Sequence, residues 1–137
     1  MKETALKNDL ISILYKAYDS EVFAPIIEFL QGETRVMLYL YMNNEIDIYP
    51  TDLSSALPVS RQRITSILSS LRNKGYITMD IEENDRRKMK VHLTETGEGL
   101  MSQKTCSANT QIDKFISRIG DRNIKELIRI TDLMLQQ

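Results

Sequence analysis

Apolar residues recur at helical spacing through most of this chain, and they alternate with polar ones only between residues 77 and 93. Leu6, Leu10, Ile13, Leu14 and Ala17 form one stripe, with Lys7, Asn8, Asp9 and Lys16 between them, and predict an amphipathic first helix. Val22 to Leu30 is a short apolar segment broken by Pro25 and followed by Gly32. Glu33 to Asn43 is strongly apolar and predicts the central buried helix. A short helix follows from Asp52 to Leu57, which Pro58 terminates by disfavouring helical backbone in the residue before it. Ile64, Ile67, Leu68 and Leu71 then mark the core-facing stripe of a further helix. Ser60 can cap its start, Gly75 can end it in a left-handed conformation, and Lys74 suits its last turn. Ile77–Ile81 and Met89–Leu93 alternate as strands, with the polar stretch 82–88 between them as a turn.

Beyond residue 94 the pattern is helical again. Residues 102–111 are nearly all polar and rich in mediocre helix formers, which fits either the solvated middle of a long helix or a break in it. Ile112, Phe115, Ile116 and Ile119 make a stripe. After Gly120, Ile124, Leu127, Ile128, Ile130, Leu133, Met134 and Leu135 make a helix apolar on more than one side. Such a terminal helix needs a partner beyond its own domain.

Short helix, tight turn, second helix and a hairpin with a basic tip is the order of a winged helix-turn-helix. The fold class is therefore mainly α with a small β element (α+β). The polar side of the second helix holds Ser60, Arg61, Gln62, Arg63, Thr65, Ser66, Ser69 and Arg72, with no carboxylate to repel phosphates. Arg, Gln, Ser and Thr can bond base edges and the DNA backbone. Arg86, Arg87 and Lys88 at the hairpin tip, and Lys90 on its second strand, add positive charge beside that helix. Arg side chains of this kind enter narrow minor grooves. Asp85 is placed to pair with Arg86 or Arg87 and stiffen the tip. The plainer alternative is a solvated helix face and a solvated turn, but the spacing of the parts and the absence of acids on that face weigh against it.

Three pieces in order then resemble the MarR family of bacterial transcription regulators. They are Leu71-Arg72-Asn73-Lys74-Gly75, Asp85-Arg86-Arg87, and Leu93-Thr94-Glu95-Thr96-Gly97. The match covers roughly residues 33–101. It departs at residues 45–50, which carry no Gly and leave the small first strand of the wing open. The resemblance implies a single domain over residues 1–137. Residues 33–99 would form the DNA-binding lobe, flanked by dimerisation helices over 1–31 and 100–137. It implies a cytoplasmic homodimer on palindromic double-stranded DNA that blocks or recruits polymerase. Some relatives bind a small aromatic or amphipathic effector in a cleft near the dimer helices. Tyr15, Tyr18, Arg35 and Tyr39, with Phe23, Phe29 and Tyr41 nearby, are the candidate lining here. The simpler role for these aromatics and for the seven methionines is to fill the core. Others sense oxidants through a cysteine near the N-terminus; Cys106 stands elsewhere, so that mechanism does not transfer.

Charge sharpens the picture. The chain of 137 residues has a net charge of −1, yet residues 60–92 carry eight Lys and Arg against four acids, or 8 − 4 = +4. The remainder is then (18 − 8) − (19 − 4) = −5. A basic patch on an acidic molecule orients it toward DNA. One His (His92) and one Cys make neither a catalytic set nor a metal site, so no enzyme activity, metal or cofactor is expected. His92 reads as an exposed strand residue. No apolar stretch is long enough to span a membrane, and the first residues lack the pattern of a signal peptide. The competing reading is a winged helix that docks a protein partner as an adaptor without binding DNA.

Overall fold

The computed structural model describes residues 1–21 and 23–136, with the side chain of Pro25 also set aside. Val22, the first residue of the second apolar segment, lies outside the described residues. Among the described residues, seven helices and two strands follow in the order α1 (Lys2–Asp19), α2 (Ala24–Phe29), α3 (Gly32–Met42), α4 (Pro50–Ala56), α5 (Arg61–Asn73), β1 (Ile77–Ile81), β2 (Met89–Leu93), α6 (Glu95–Ile119) and α7 (Asp121–Leu135). They divide into two compact units. One spans Ile26–Thr105; the other comprises Met1–Pro25 and Cys106–Gln137. The first unit thus reaches further in both directions than the lobe over 33–99 expected from the sequence.

The unit over residues 26–105 holds the core. Val36, Met37 and Leu40 of α3, Ile48, Leu53 of α4 and Ile64, Ile67, Leu68 and Leu71 of α5 are buried together. Ile77 of β1, Val91 of β2 and Met101 of α6 complete the cluster. The α5 stripe is the one its spacing predicts. Burying each Leu or Ile of this kind contributes roughly 1.5–3 kcal/mol. Phe29, Tyr39 and Tyr41 pack against this cluster, which is the core-filling role.

β1 and β2 pair antiparallel, from Ile77 opposite Leu93 to Ile81 opposite Met89. The open question at residues 45–50 resolves into a single rung. The Val91 amide donates to the Ile48 carbonyl at 2.8 Å, and no strand forms there among the described residues. Ile48 is nevertheless 2% exposed, so this short extended stretch still seals one side of the core.

The end of α5 meets the start of α6 in a joint built from backbone. Gly75 adopts a φ of +81°, the left-handed stop that glycine tolerates. The Tyr76 carbonyl accepts from the Thr94 amide at 3.0 Å. The Thr94 hydroxyl donates to the Gly75 carbonyl at 2.7 Å and accepts from the Gly97 amide at 3.0 Å, capping α6. A Cβ on Gly97 would lie 2.2 Å from the Tyr76 carbonyl oxygen. The Leu-Thr-x-x-Gly motif is therefore a close-approach device.

A second tie holds α5 to α3. Glu33 accepts from the Ser70 hydroxyl at 2.5 Å and from Lys74 Nζ at 2.7 Å. The hydrogen bond from Lys74, then that from Ser70, lowers the Glu33 pKa below its ordinary range.

The middle of α6 is helix throughout. The Thr105 hydroxyl bonds the Met101 carbonyl at 2.8 Å and Thr110 bonds that of Cys106 at 3.1 Å, so these polar side chains are satisfied on their own helix. Cys106 is exposed and free.

In the other unit, the rings of Phe23 and Phe115 meet at 5.7 Å. Neither α1 nor α7 buries a residue. Leu6, Leu10, Ile13 and Leu14 on α1 are exposed, as are Leu127, Ile128, Leu133 and Met134 on α7.

Two consequences can be measured. Gly97→Ala forces apart two backbones in contact and should destabilise the protein by about 2–4 kcal/mol, read from urea unfolding. Glu33→Gln should lower stability by roughly 0.5–1 kcal/mol at neutral pH, because the pair is partly exposed. A depressed carboxyl pKa contributes stability above the ordinary value and loses it as pH falls through the folded value. The gap between native and variant should therefore hold at pH 7 and close as pH drops below about 4.5, the ordinary value for this carboxyl. A gap that does not narrow at all as pH falls below the ordinary value would sink the assignment.

Candidate nucleic-acid interface

α5 presents three strips around its buried stripe. Ser60 caps it, its hydroxyl accepting from the Arg63 amide at 3.1 Å. Helical spacing sets Gln62, Ser66, Ser69 and Asn73 opposite the core. Arg61, Thr65 and Arg72 flank them on one side. Arg63, Ser70 and Lys74 flank them on the other, where Glu33 lies and where the charge of Arg63 also acts on it. An open groove runs along this surface, lined by Gln62, Thr65, Ser66, Ser69, Ser70, Asn73 and Lys74. Of the residues expected from sequence, Gln62, Thr65, Ser66 and Ser69 stand together here. Asn73 was missed, although its place four residues after Ser69 is enough to find it. Lys74 is held by Glu33 at one end of the groove. The Thr65 hydroxyl donates to the Arg61 carbonyl at 3.0 Å, which leaves Thr65 a methyl group and an acceptor to offer outward.

The hairpin tip is ordered by its own backbone. The Glu82 amide donates to the Lys88 carbonyl at 2.9 Å, and the Lys88 amide to the Asp85 carbonyl at 3.0 Å. The Asp85 carboxylate accepts from the Arg87 amide at 3.0 Å. Asp85 thus pairs with Arg87 through its backbone amide, as a short acidic side chain in a turn bonds the amide two residues on. Arg86 and Arg87 are exposed, and neither guanidinium meets a carboxylate among the described residues.

Lys90, expected to hold a phosphate, has two carboxylate partners within the protein. Its Nζ lies 3.3 Å from Asp47 and 3.4 Å from Glu82. Asp47, then Glu82, raises its pKa. Glu82 also accepts from the Tyr49 hydroxyl at 2.6 Å, the main reason the Tyr49 pKa is raised. Lys88 Nζ lies 5.7 Å from the centre of the Tyr49 ring, within cation–π range. Tyr49 in turn caps α4, its amide donating to Asp52 at 2.8 Å. His92 is exposed, with Nε2 4.0 Å from Asp80 on the facing strand.

The candidate effector residues divide between the two units. Tyr15 and Tyr18 are exposed on α1 and line an open groove with Ile11 and Leu14. Arg35 donates to the Leu30 carbonyl at 2.9 Å, closing the end of α2, so one of its donors is engaged. Tyr39 packs on the core. No cluster of His, Cys, Asp or Glu suited to a metal occurs among the described residues, and no helix there is long and apolar enough to cross a membrane.

No family model matches the chain. Its sequence is similar to the HTH-type transcriptional regulator PapX of Escherichia coli, 30% identical over 84 residues, 61% of this chain and 51% of PapX. The chain thus spans about half the length of that relative. Its structure is similar to MepR of Staphylococcus aureus in complex with DNA. The TM-score is 0.69 at 17% identity, covering 94% of this chain and 95% of MepR. MepR bound to ethidium bromide superimposes at a TM-score of 0.62 and 17% identity, covering 93% of each chain. A variant of MarR from Escherichia coli gives a TM-score of 0.64 at 20% identity, covering 93% of this chain and 95% of that one. The helix order, the hairpin and these likenesses agree: this chain has the winged helix-turn-helix fold of MarR and MepR.

Proposed function

We propose that this chain is a sequence-specific DNA-binding transcription regulator that acts as a homodimer. The observation that carries the reading is the outward surface of α5. It holds Arg, Gln, Thr, Ser and Asn and no carboxylate, and two unpaired arginines stand on the wing. Arg61, Gln62, Thr65, Ser66 and Ser69 would read base edges, with Arg72 on phosphate. Arg86 and Arg87 would follow the minor groove, with Lys88 beside them. The name of PapX and the DNA complex of MepR support this assignment. An adaptor would have no use for a recognition surface cleared of acids.

Dimerisation is supported by α1 and α7. Their apolar residues have no cover within their own unit, and an exposed apolar surface of that extent marks an interaction face. Two recognition helices about 34 Å apart read a palindrome over one helical turn, which one helix does not do. An aromatic or amphipathic effector would find Tyr15 and Tyr18 exposed on α1, and MepR has been solved with ethidium bromide. Its effect would be limited by its differential affinity for the two states of the dimer. The regulator would work in the cytoplasm and carry out no catalysis.

Fluorescence anisotropy with duplexes selected from a random-sequence pool tests the core claim. Tight binding that weakens steeply with salt is expected. Arg61→Ala should weaken it by about 1–3 kcal/mol and relax the preference at one base pair. Unchanged binding would place the base-reading register elsewhere on α5. Sedimentation at micromolar concentration should give a dimer, and Leu133→Glu should convert it toward monomer; a native monomer would end the dimer reading.

A further inference from the structure

The base of the wing carries two carboxylates, Asp47 and Glu82, close to a loop proposed to approach phosphates. Acids there repel DNA unless they are neutralised, so their presence calls for a structural reason. Both have partners within the protein, and the one lysine charge offsets half of theirs. Lys90 bridges them at 3.3 and 3.4 Å, and the Tyr49 hydroxyl donates to Glu82 at 2.6 Å. Two-stranded ribbons are marginal on their own, and the last paired rung of this one is Ile81 with Met89. Residues 82–88 extend beyond it. Tyr49 grips both ends of that extension: its hydroxyl holds Glu82, and its ring lies under the Lys88 ammonium at 5.7 Å. The neighbouring Ile48 carbonyl takes the Val91 amide. Tyr49 is also the cap of α4, whose Leu53 shares a core with α5. One residue therefore links the wing to the helix pair that sets the recognition helix.

We propose that Tyr49, with Asp47, Glu82, Lys88 and Lys90 around it, is the positioning element that fixes the angle of the wing tip. Tyr49 governs DNA affinity through Arg86 and Arg87 without itself touching DNA. A loose tip would have to be ordered at the moment of binding, and that ordering subtracts from affinity. The inference rests on the proposed contact of the wing arginines with DNA.

The test is a set of mutant cycles on the full chain, read by anisotropy with one selected duplex. Tyr49→Phe keeps the ring and removes only the hydroxyl. It should weaken binding roughly three- to tenfold in the native protein and equally in Arg61→Ala. In the Arg86→Ala/Arg87→Ala protein it should change affinity by less than about twofold, because nothing remains for it to position. Glu82→Gln should behave in the same way. Equal losses in all three backgrounds, or none in the native protein, would overturn the inference while leaving DNA contact by the wing intact. Undiminished affinity of the Arg86→Ala/Arg87→Ala protein would overturn the wing contact itself, and this inference with it.

Discussion

A single point of backbone contact organises the winged unit. The Tyr76 carbonyl oxygen occupies the space where any other residue at position 97 would carry a Cβ. The same carbonyl takes the Thr94 amide, and the Thr94 hydroxyl ties Gly75 to Gly97. The end of α5, the start of β1, the end of β2 and the start of α6 therefore meet around one carbonyl and one threonine. Side chains can repack around a change of volume; two backbones in contact cannot. The recognition helix is fixed at its far end by this joint, along its length by Ile64, Ile67, Leu68 and Leu71, and on its flank by Glu33. What is left over faces outward.

Much of this was legible in the residues. The stripe of α5, its Ser60 cap, the left-handed Gly75 and the two alternating strands each rest on local rules of spacing and conformation. Those rules need no knowledge of what lies across the fold. What the residues left unread was of one kind. The carboxylates beside Lys90 were assigned no role along the chain, because such partners are decided by folding. Tyr49 and Glu82 lie 33 residues apart, and Glu33 and Ser70 lie 37 apart. No pattern along the chain announces such pairs. Arg35 is a milder case, since its partner is only five residues away but is a backbone carbonyl. The polar stretch 102–111 was ambiguous because its hydroxyls bond their own helix, a solution that composition alone does not distinguish from a break.

The two units differ in how they hold together. Residues 26–105 bury a continuous apolar cluster of their own. The helices α1 and α7 bury nothing fully and keep their apolar residues open. Stability drawn from a partner rises with its concentration, so the two parts of this chain would answer differently to dilution.

The internal pairing of lysines bears on how strongly ions in solution control binding. Eight Lys and Arg lie between residues 60 and 92, but Lys74 is paired with Glu33 and Lys90 with Asp47 and Glu82, leaving 8 − 2 = 6 without a salt bridge among the described residues. Each phosphate that a protein neutralises frees condensed counterions and steepens the dependence on salt by about 0.9 per contact. A lysine already matched to a carboxylate displaces none. On the proposed reading, the ionic signature of this protein on DNA would be written by fewer residues than its basic stretch contains, and the two paired lysines would shape the surface that the other six present.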